Sequence, residues 1–465
     1  MDARSLNFVA MACGGELLAG SPEDCVGRVC TDSRQARAGD LFFALAGGRF
    51  DGHAFAGEVV KRGAIAIVGE RGRLPAGLGG CAVIAVEDTR KALGRFAAEY
   101  RKDFELPTVA VAGSNGKTTT KELLASVLRQ KLPTLWSEAS FNNDIGVPLT
   151  LLQMEKSHQA AVIELGTNHP GELAPLVRMT RPDHGVITCI GREHLEFFGD
   201  VQGVAREEGW LAELLPSKGR LFLNGDDEWA GRIAERTRAS VVRVGFLDGN
   251  DWRARAVRLG PKGASFQVDG PEEKFAGEYR TRLHGRHQVV NALFAVAVGA
   301  ELGLSRAEIA RGLADCGGPK MRLQLCESGG VRILDDAYNA NADSVRAALR
   351  TLVELPCAGR RVAVLGDMAE LGVHSEAAHE EIGSCAAQWG VGQLFAVGKM
   401  APVMARGARG AGLNRVFEFA DAESAAPAVK NFVKNGDLLL LKASRVMRLE
   451  RIAEVLGACE AVKEK

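Results

Sequence analysis

Short apolar runs of strand length alternate with glycine turns and longer helical patterns through most of the chain. Residues 1 to about 105 carry such runs at 41–45, 64–68 and 81–86, a loop over 71–80, and a helix pattern at 89–100. A polar break at 101–105, followed by Pro107, closes that part. From Thr108 the texture becomes strand, glycine loop, helix, with buried-strand runs at 108–112, 161–165, 185–190 and 221–223. Residues 121–128 read as a helix, and 287–302 as a long apolar one. After Gly317-Gly318-Pro319 a third series predicts strands at 331–334, 361–365, 394–397, 416–419 and 438–441. Helices are expected there at 344–354, 375–389 and 445–456. This alternation predicts an α/β protein with parallel sheets and helices on both faces. Three domains are expected, over 1–105, 106–316 and 317–465, with no internal repeat.

Composition narrows the class. The chain has 465 residues, 46% hydrophobic and 25% charged, an ordinary globular balance. Lys plus Arg (58) equals Asp plus Glu (58), so no bulk field draws the chain to nucleic acid. An anionic ligand must be held by local geometry instead. No apolar run is long enough to span a bilayer, so membrane insertion is not expected. The first 20 residues, with Asp2, Arg4 and Glu16, show no export signal. Ten scattered cysteines without a C-x-x-C pair predict reduced thiols and a cytoplasmic location. Cys189 is expected to be a small core residue rather than a nucleophile.

The main chemical signal is Gly113-Ser114-Asn115-Gly116-Lys117-Thr118-Thr119, between an apolar strand and a helix. Glycines let backbone N–H groups converge on phosphate oxygens, and the helix N-terminus adds its positive end. Lys117 would neutralise the β- and γ-phosphates, and the Thr118 hydroxyl would bind Mg²⁺. Val111 stands where the longer form of this loop has a glycine. ATP binding is the expectation. Glu164 ends one apolar run and His194 follows another, at the carboxyl ends of strands where ligands of open sheets collect. A carboxylate there suits Mg²⁺. Asp226 and Asp227 read as a turn.

Ordered motifs then run nearly end to end. They are Thr31-Asp32-Ser33-Arg34, Phe50-Asp51-Gly52-His53, the phosphate loop and Phe141-Asn142-Asn143-Asp144. Glu164-Leu165-Gly166-Thr167-Asn168-His169 and Gly285-Arg286-His287-Gln288-Val289-Val290-Asn291 follow. Asp335-Asp336-Ala337-Tyr338-Asn339, Gly366-Asp367-Met368-Ala369-Glu370-Leu371-Gly372 and Lys442-Ala443-Ser444-Arg445 complete the set. With these, the chain resembles the Mur ligase family. The resemblance implies a central P-loop-type ATPase domain, flanked by an N-terminal domain for a uridine nucleotide and a C-terminal Rossmann-like domain.

It also implies ATP-driven amide formation through an acyl phosphate. The nearest pattern is that of ligases adding D-alanyl-D-alanine to UDP-N-acetylmuramoyl-tripeptide. The implied ATP contacts are Gly113, Ser114, Asn115, Gly116, Lys117, Thr118, Thr119, Asn291, Arg322 and Asp336. Thr118, Glu164, His194 and Glu208 are the implied metal set; Lys117, Glu164, His194, Glu208 and Asp336 the implied catalytic set. Ser33 and Arg34 would meet the uridine part, and Asn142, Asn143, Thr167 and Asn168 the muramoyl-peptide. Tyr338, Asn339, Ser444 and Arg445 would meet the dipeptide. A monomer with small-molecule substrates is expected.

Some positions depart from the family pattern. Glu208 stands where relatives carry a CO₂-carbamylated lysine, so it is expected to supply that carboxylate directly. Gly191-Arg192-Glu193-His194 replaces Gly-Glu-Ala-His, and Ala342 and Ala443 replace Pro and Gly. Rival readings are another Mur-type amino-acid ligase, a folylpolyglutamate synthetase-like enzyme, or a nucleotide switch. Open and closed arrangements are expected, hinged near Gly317-Gly318-Pro319 and Thr108.

Overall fold

The computed structural model describes residues 1–48, 50–75 and 77–457. Position 76 of the expected 71–80 loop, Cys459 and the end of the expected third domain lie outside them. Besides a two-stranded ribbon of Arg4–Ser5 and Cys25–Val26, three larger sheets follow one another along the described residues. The first has strands β1 (Glu16–Ala19), β2 (Val29–Cys30), β3 (Leu41–Phe43), β4 (Ala66–Glu70) and β5 (Ala82–Val86), in the order β1-β5-β4-β3-β2. Only β1 runs antiparallel to its neighbour. Helix α1 (Thr89–Arg101) then leads into the second sheet, its N-terminus closed by the Asp88 carboxylate accepting from Lys91 N–H.

The second sheet contains β6 (Thr108–Ala112), β7 (Thr134–Trp136), β8 (Ala160–Glu164), β9 (His184–Ile187), β10 (Arg220–Asn224) and β11 (Ser240–Gly245). An antiparallel extension, β12 (Trp252–Gly260), β13 (Gly263–Asp269) and β14 (Gly277–Thr281), completes it. The order is β14-β13-β12-β11-β10-β9-β6-β8-β7. All five residues of β6 and of β8 are buried, as continuous apolar runs between two helical layers require. Helices α2 (Lys117–Leu128), α3 (Val201–Glu208), α4 (Arg286–Glu301) and α5 (Arg306–Asp315) belong to this unit. Helix α4 is apolar on nearly every face because it packs on both α2 and the sheet.

The third sheet has β15 (Gln324–Ser328), β16 (Val331–Asp335), β17 (Arg361–Gly366), β18 (Gln393–Val397), β19 (Val416–Phe419) and β20 (Leu438–Lys442). Its order is β15-β16-β20-β17-β18-β19, parallel except for β15. Helices α6 (Ala342–Glu354) and α7 (Ser375–Gln388) face the second unit. Separate apolar clusters fill its two faces, one around Leu334, Leu349 and Leu440, the other around Ile333, Val364 and Leu441.

The three-part α/β architecture stands, with differences of detail. The sheets are mixed rather than wholly parallel, because β1, the β12–β14 extension and β15 are antiparallel edges. The 185–190 run leaves the sheet after Ile187, and 188–194 form the loop that carries His194. The 445–456 helix is broken into a short turn, Arg445–Met447, and a helix, Glu450–Val455, by Arg448 at φ +53°. Among the described residues Cys13, Cys25, Cys30, Cys81, Cys189, Cys316, Cys357 and Cys385 are free thiols, in line with the expectation for them. No helix among the described residues is long and apolar enough to cross a membrane.

Candidate active site

The phosphate loop sits where β6 hands over to α2. Gly113 (φ +110°) has no room for a side chain, since a Cβ would lie 2.5 Å from Thr188 Oγ1. Gly116 (φ +87°) starts α2, and a Cβ there would lie 2.8 Å from Asn291 Oδ1. Both glycines are thus required by close approach and by left-handed backbone. Lys117 turns back over the loop. Its Nζ donates to the Gly113 carbonyl and lies 3.4 Å from Glu193 Oε2. Burial opposes the charge on Lys117, but the carboxylates of Glu193, Glu208 and Glu164 outweigh it. Its ammonium therefore titrates above the ordinary lysine range.

Three buried carboxylates surround this lysine. Glu164 Oε1 accepts from the Thr118 hydroxyl at 3.1 Å and from Asn142 Nδ2 at 2.8 Å. Glu208 Oε2 accepts from Gly113 N–H at 2.7 Å, so α3 holds the loop from behind. Burial is the main cause that pushes the Glu208 carboxyl up to about 8; Lys117 and the Gly113 N–H oppose it, and Glu193 adds to it. Glu164 Oε2, Glu193 Oε1 and Glu208 Oε1 are buried without a hydrogen-bond partner. A buried acceptor of this kind is costly unless a cation or donor arrives. Among the described residues, no group of three His, Cys, Asp or Glu side chains is arranged to hold a metal by itself. His194 stands at φ +47° with Nδ1 2.6 Å from Glu370 Oε2.

The loop opens on a cavity of about 480 Å³ lined from both the second and third units. Ser114 to Thr119, Asn142, Asn143, Glu164, Thr167, Asn168, His194 and Asn291 line it from one side. Arg322, Asp336, Tyr338 and Asn339 line it from the other. The Arg322 guanidinium lies over the Tyr338 ring at 4.1 Å. Asp336 Oδ2 accepts from Lys442 Nζ at 2.5 Å and Oδ1 from Leu323 N–H at 3.1 Å. The pair fixes the turn that presents Arg322.

Other expected site residues lie apart from this cavity. Gly113 and Glu208 sit behind the loop rather than in its wall. Ser33 and Arg34 form an exposed turn of the first unit, with Arg34 Nη2 2.7 Å from Asp32 Oδ2. Ser444 is buried, its Oγ accepting from Ala369 N–H at 2.8 Å, and the Arg445 guanidinium donates to Glu450. The thiol of Cys189 lines the cavity, but burial pushes it up to about 12, which suits a neutral wall and not a nucleophile.

Several lining residues carry no role in the sequence reading. Glu193, His287, Lys442, Asn341 and Asp343 are among them. Burial holds the His287 imidazole down to about 4, with Asp336 opposing, so it is neutral at ordinary pH. Lys442 is the last residue of β20, at the carboxyl end of a strand, a position that could have marked it.

Comparison with known proteins agrees with this layout. The Mur ligase middle domain matches residues 111–299, the Mur ligase glutamate ligase domain 321–445, and the Mur ligase family catalytic domain 26–101. The chain belongs to the Mur ligase family. This Mur ligase is 37% identical to the UDP-N-acetylmuramoyl-tripeptide–D-alanyl-D-alanine ligase of Escherichia coli, over 93% of this chain and 94% of that one. It is 34% identical to the enzyme of the same name from Bacillus subtilis, over 92% of each. A crystal structure of MurF from Acinetobacter baumannii superposes with a TM-score of 0.90 at 32% identity, covering 98% of this chain and 99% of that one. MurF ligase from Thermotoga maritima, solved in complex with ADP, gives 0.80 at 27% identity, covering 92% and 96%.

Proposed function

We propose that this Mur ligase joins D-alanyl-D-alanine to the terminal carboxylate of UDP-N-acetylmuramoyl-tripeptide, with conversion of ATP to ADP and phosphate, in peptidoglycan precursor synthesis. The observation that carries the reading is the single cavity shared by the phosphate loop and the third unit's Arg322, Asp336 and Tyr338. An ATP-bound carboxylate and an incoming amine can meet only at such a junction. The likeness to named UDP-N-acetylmuramoyl-tripeptide–D-alanyl-D-alanine ligases over nearly the whole chain supports the substrates.

In this mechanism a carboxylate oxygen of the tripeptide attacks the γ-phosphorus and ADP leaves. The dipeptide nitrogen then attacks the acyl carbon, loses a proton, and inorganic phosphate departs. Lys117 holds the transferring phosphoryl group while the α2 N-terminus and loop N–H groups hold its neighbours. Arg322 and Asp336 contact the nucleotide from the third unit, and Asn291, packed on Gly116, contacts the adenine side. Asn142, Asn143, Thr167 and Asn168 hold the muramoyl-peptide. Tyr338, Asn339, Ser444 and Arg445 serve the dipeptide, and Ser33 and Arg34 the uridine part. The units correspond to 1–105, 106–316 and 317–465.

The unpartnered Glu164 Oε2 beside the Thr118 hydroxyl fits a hard cation, with His194 as a further member of the set, while Glu208, accepting from Gly113 N–H behind the loop, supports them through the loop. Mg²⁺ bound there would neutralise phosphate charge, and phosphate oxygens and water would complete its shell. Glu208 takes the place of a carbamylated lysine, so turnover is independent of bicarbonate.

Phosphate release from ATP tests the reading. It should require both UDP-N-acetylmuramoyl-tripeptide and D-alanyl-D-alanine. Equal release with either one omitted would identify a simple nucleotide hydrolase or switch.

A further inference from the structure

Helix α3 ends in two adjacent buried carboxylates, and only Glu208 has a place in the chemistry above. Glu207 is 5% exposed and is not part of the cavity wall. Its Oε2 accepts from Gly171 N–H at 2.9 Å and its Oε1 from Leu173 N–H at 2.8 Å. Both oxygens are committed to one turn, the start of the helix Leu173–Thr180. That helix has no side-chain cap of its own. The carboxylate that closes it, and that meets its positive end, comes from a residue 34 to 36 positions later in the chain.

A local cap is absent because Glu172, the residue before this helix, is turned the other way. Its Oε2 accepts from Asn168 N–H at 2.8 Å and from His169 N–H at 3.1 Å, and its Oε1 lies 3.2 Å from His169 Nδ1. Thr167 Oγ1 donates to the His169 carbonyl at 2.9 Å, and Gly166 N–H to the Asn142 carbonyl at 2.8 Å. The loop 166–172 is thus folded around Glu172 and tied to Asn142 at one end and Glu207 at the other. All of these partners belong to the second unit. Thr167 and Asn168 of this loop line the cavity. Successive residues of a helix point about 100° apart, so the end of α3 serves two directions. Glu208 grips the phosphate loop through Gly113 N–H at 2.7 Å, and Glu207 grips loop 166–172. One rigid element that holds two loops fixes their separation.

We propose that Glu207 is a positioning residue for the tripeptide: with Glu208 it makes α3 a brace that sets loop 166–172, and so the acceptor carboxylate, against the γ-phosphate. It rests on the reading that Thr167 and Asn168 hold the muramoyl-peptide beside ATP. Glu207 touches no substrate and acts through the Gly171 and Leu173 amides. Reacting atoms must lie within about 3.5 Å, and a misplacement of about 1 Å costs up to roughly a hundredfold in rate.

Amide hydrogen exchange of the full ligand-free chain and steady-state kinetics, on the same variants, test it. Glu207→Ala frees both N–H groups, so exchange should rise about tenfold or more at 166–173, while 113–119 keeps its wild-type rate. KM for UDP-N-acetylmuramoyl-tripeptide should rise about tenfold and kcat fall about tenfold, with KM for ATP and for D-alanyl-D-alanine within about twofold. Glu207→Gln keeps one acceptor and should lie between wild type and Glu207→Ala. Ser305→Ala, which removes the side-chain cap of α5 outside the cavity, controls for lost capping. It should lower stability and leave every KM unchanged. Faster exchange at 166–173 with unchanged kinetics would make Glu207 a helix cap alone and overturn the proposal. Equal rises in all three KM values would overturn it as well, as a general loosening. If Glu207→Ala does not fold, Glu207→Gln decides by the same readouts. Phosphate release by wild type without the tripeptide would instead remove the proposed function, and the positioning role with it. The two failures are distinct, because only the second appears in the unmutated chain.

Discussion

Glu208 is the residue whose surroundings differ most from those its sequence position announces. It lies fully buried under Gly113, with one oxygen bonded and one without a partner. Burial raises its carboxyl to about 8, from an ordinary value near 4.5. The folded chain thus prefers the neutral acid, whereas the unfolded chain ionises freely above about pH 4.5. The stability that this preference represents is complete below pH 4.5 and is lost as pH rises through 8. Glu208→Gln keeps the acceptor for Gly113 N–H and removes the titration. The variant should match wild type near pH 4.5 and exceed it at pH 8.5, by on the order of a few kcal/mol. Thermal or urea unfolding across that range checks it, and parallel curves for the two proteins would exclude the effect. Which residues face the phosphate loop was legible from the sequence wherever a motif carried them: Lys117, Thr118, Glu164 and His194 all line one cavity. Glu193 was visible only as a departure from a pattern. Its proximity to Lys117 depends on a loop turned by the left-handed His194, and no local periodicity encodes that.

At the level of elements, the apolar runs that are buried on both faces were readable, and of the half-exposed ones β19 was and most others were not. β6, β8 and β20 are buried at every position and appear in the sequence as unbroken hydrophobic stretches. β12 carries Arg253, Arg255 and Arg258 on its open face and is interrupted by a register shift between Arg255 and Arg258, so its alternation is hidden. β7 has only three residues. The strand–loop–helix element at Gly113–Lys117 gives the sharpest test of the site. Gly116→Ala must take φ +87° with a side chain and also displace Asn291, whose Oδ1 would be 2.8 Å away. Gly171 has a similar φ, +90°, with open space where a Cβ would go. Gly171→Ala should therefore cost only the backbone term, about 1 kcal/mol, with ADP affinity unchanged. Gly116→Ala should cost a similar amount of stability and weaken ADP binding by about tenfold or more, roughly 1.4 kcal/mol. Calorimetric titration of ADP against both variants separates the two. Equal affinities would mean that Asn291 adapts and that the glycine serves the turn alone.

Across the whole molecule, the three sheets do not divide the core equally. The apolar cluster of the first unit, with Phe43, Phe96 and Tyr100, runs without a break into Ala110, Ile163 and Leu176 of the second. The third unit keeps its own two clusters, with Leu259 of the second unit packed against one of them, and meets the second also through a charged seam between Arg192 and Asp343. Of the two expected hinges, the one near 317–319 joins units with separate cores, whereas the one near Thr108 lies beside a continuous core. Arg101 marks that second joint. It is buried at the end of α1 and donates to the carbonyls of Thr180 at 3.0 Å and Arg181 at 3.3 Å, and to Thr108 Oγ1 at 2.8 Å. A further bond reaches the Phe104 carbonyl at 2.5 Å. Among the described residues no carboxylate is hydrogen-bonded to it, although the charge of Asp183 lies near; the guanidinium is held by neutral oxygens from both sides of the joint. The sequence shows this arginine only as the first residue of a polar break, since the partners that place it at the joint, the carbonyls of Thr180 and Arg181, are about 80 residues away. Arg101→Met retains most of the apolar stem and removes every donor, leaving those oxygens buried without a partner. It should destabilise the chain by about 3 kcal/mol, the cost of unmade hydrogen bonds to buried acceptors rather than of lost packing. Arg101→Ala, which loses the stem as well, should cost still more. Denaturant unfolding of both variants measures the difference. A loss below about 1 kcal/mol in Arg101→Met would mean that water enters the joint, and that the first unit is freer to turn on the second than its shared core implies.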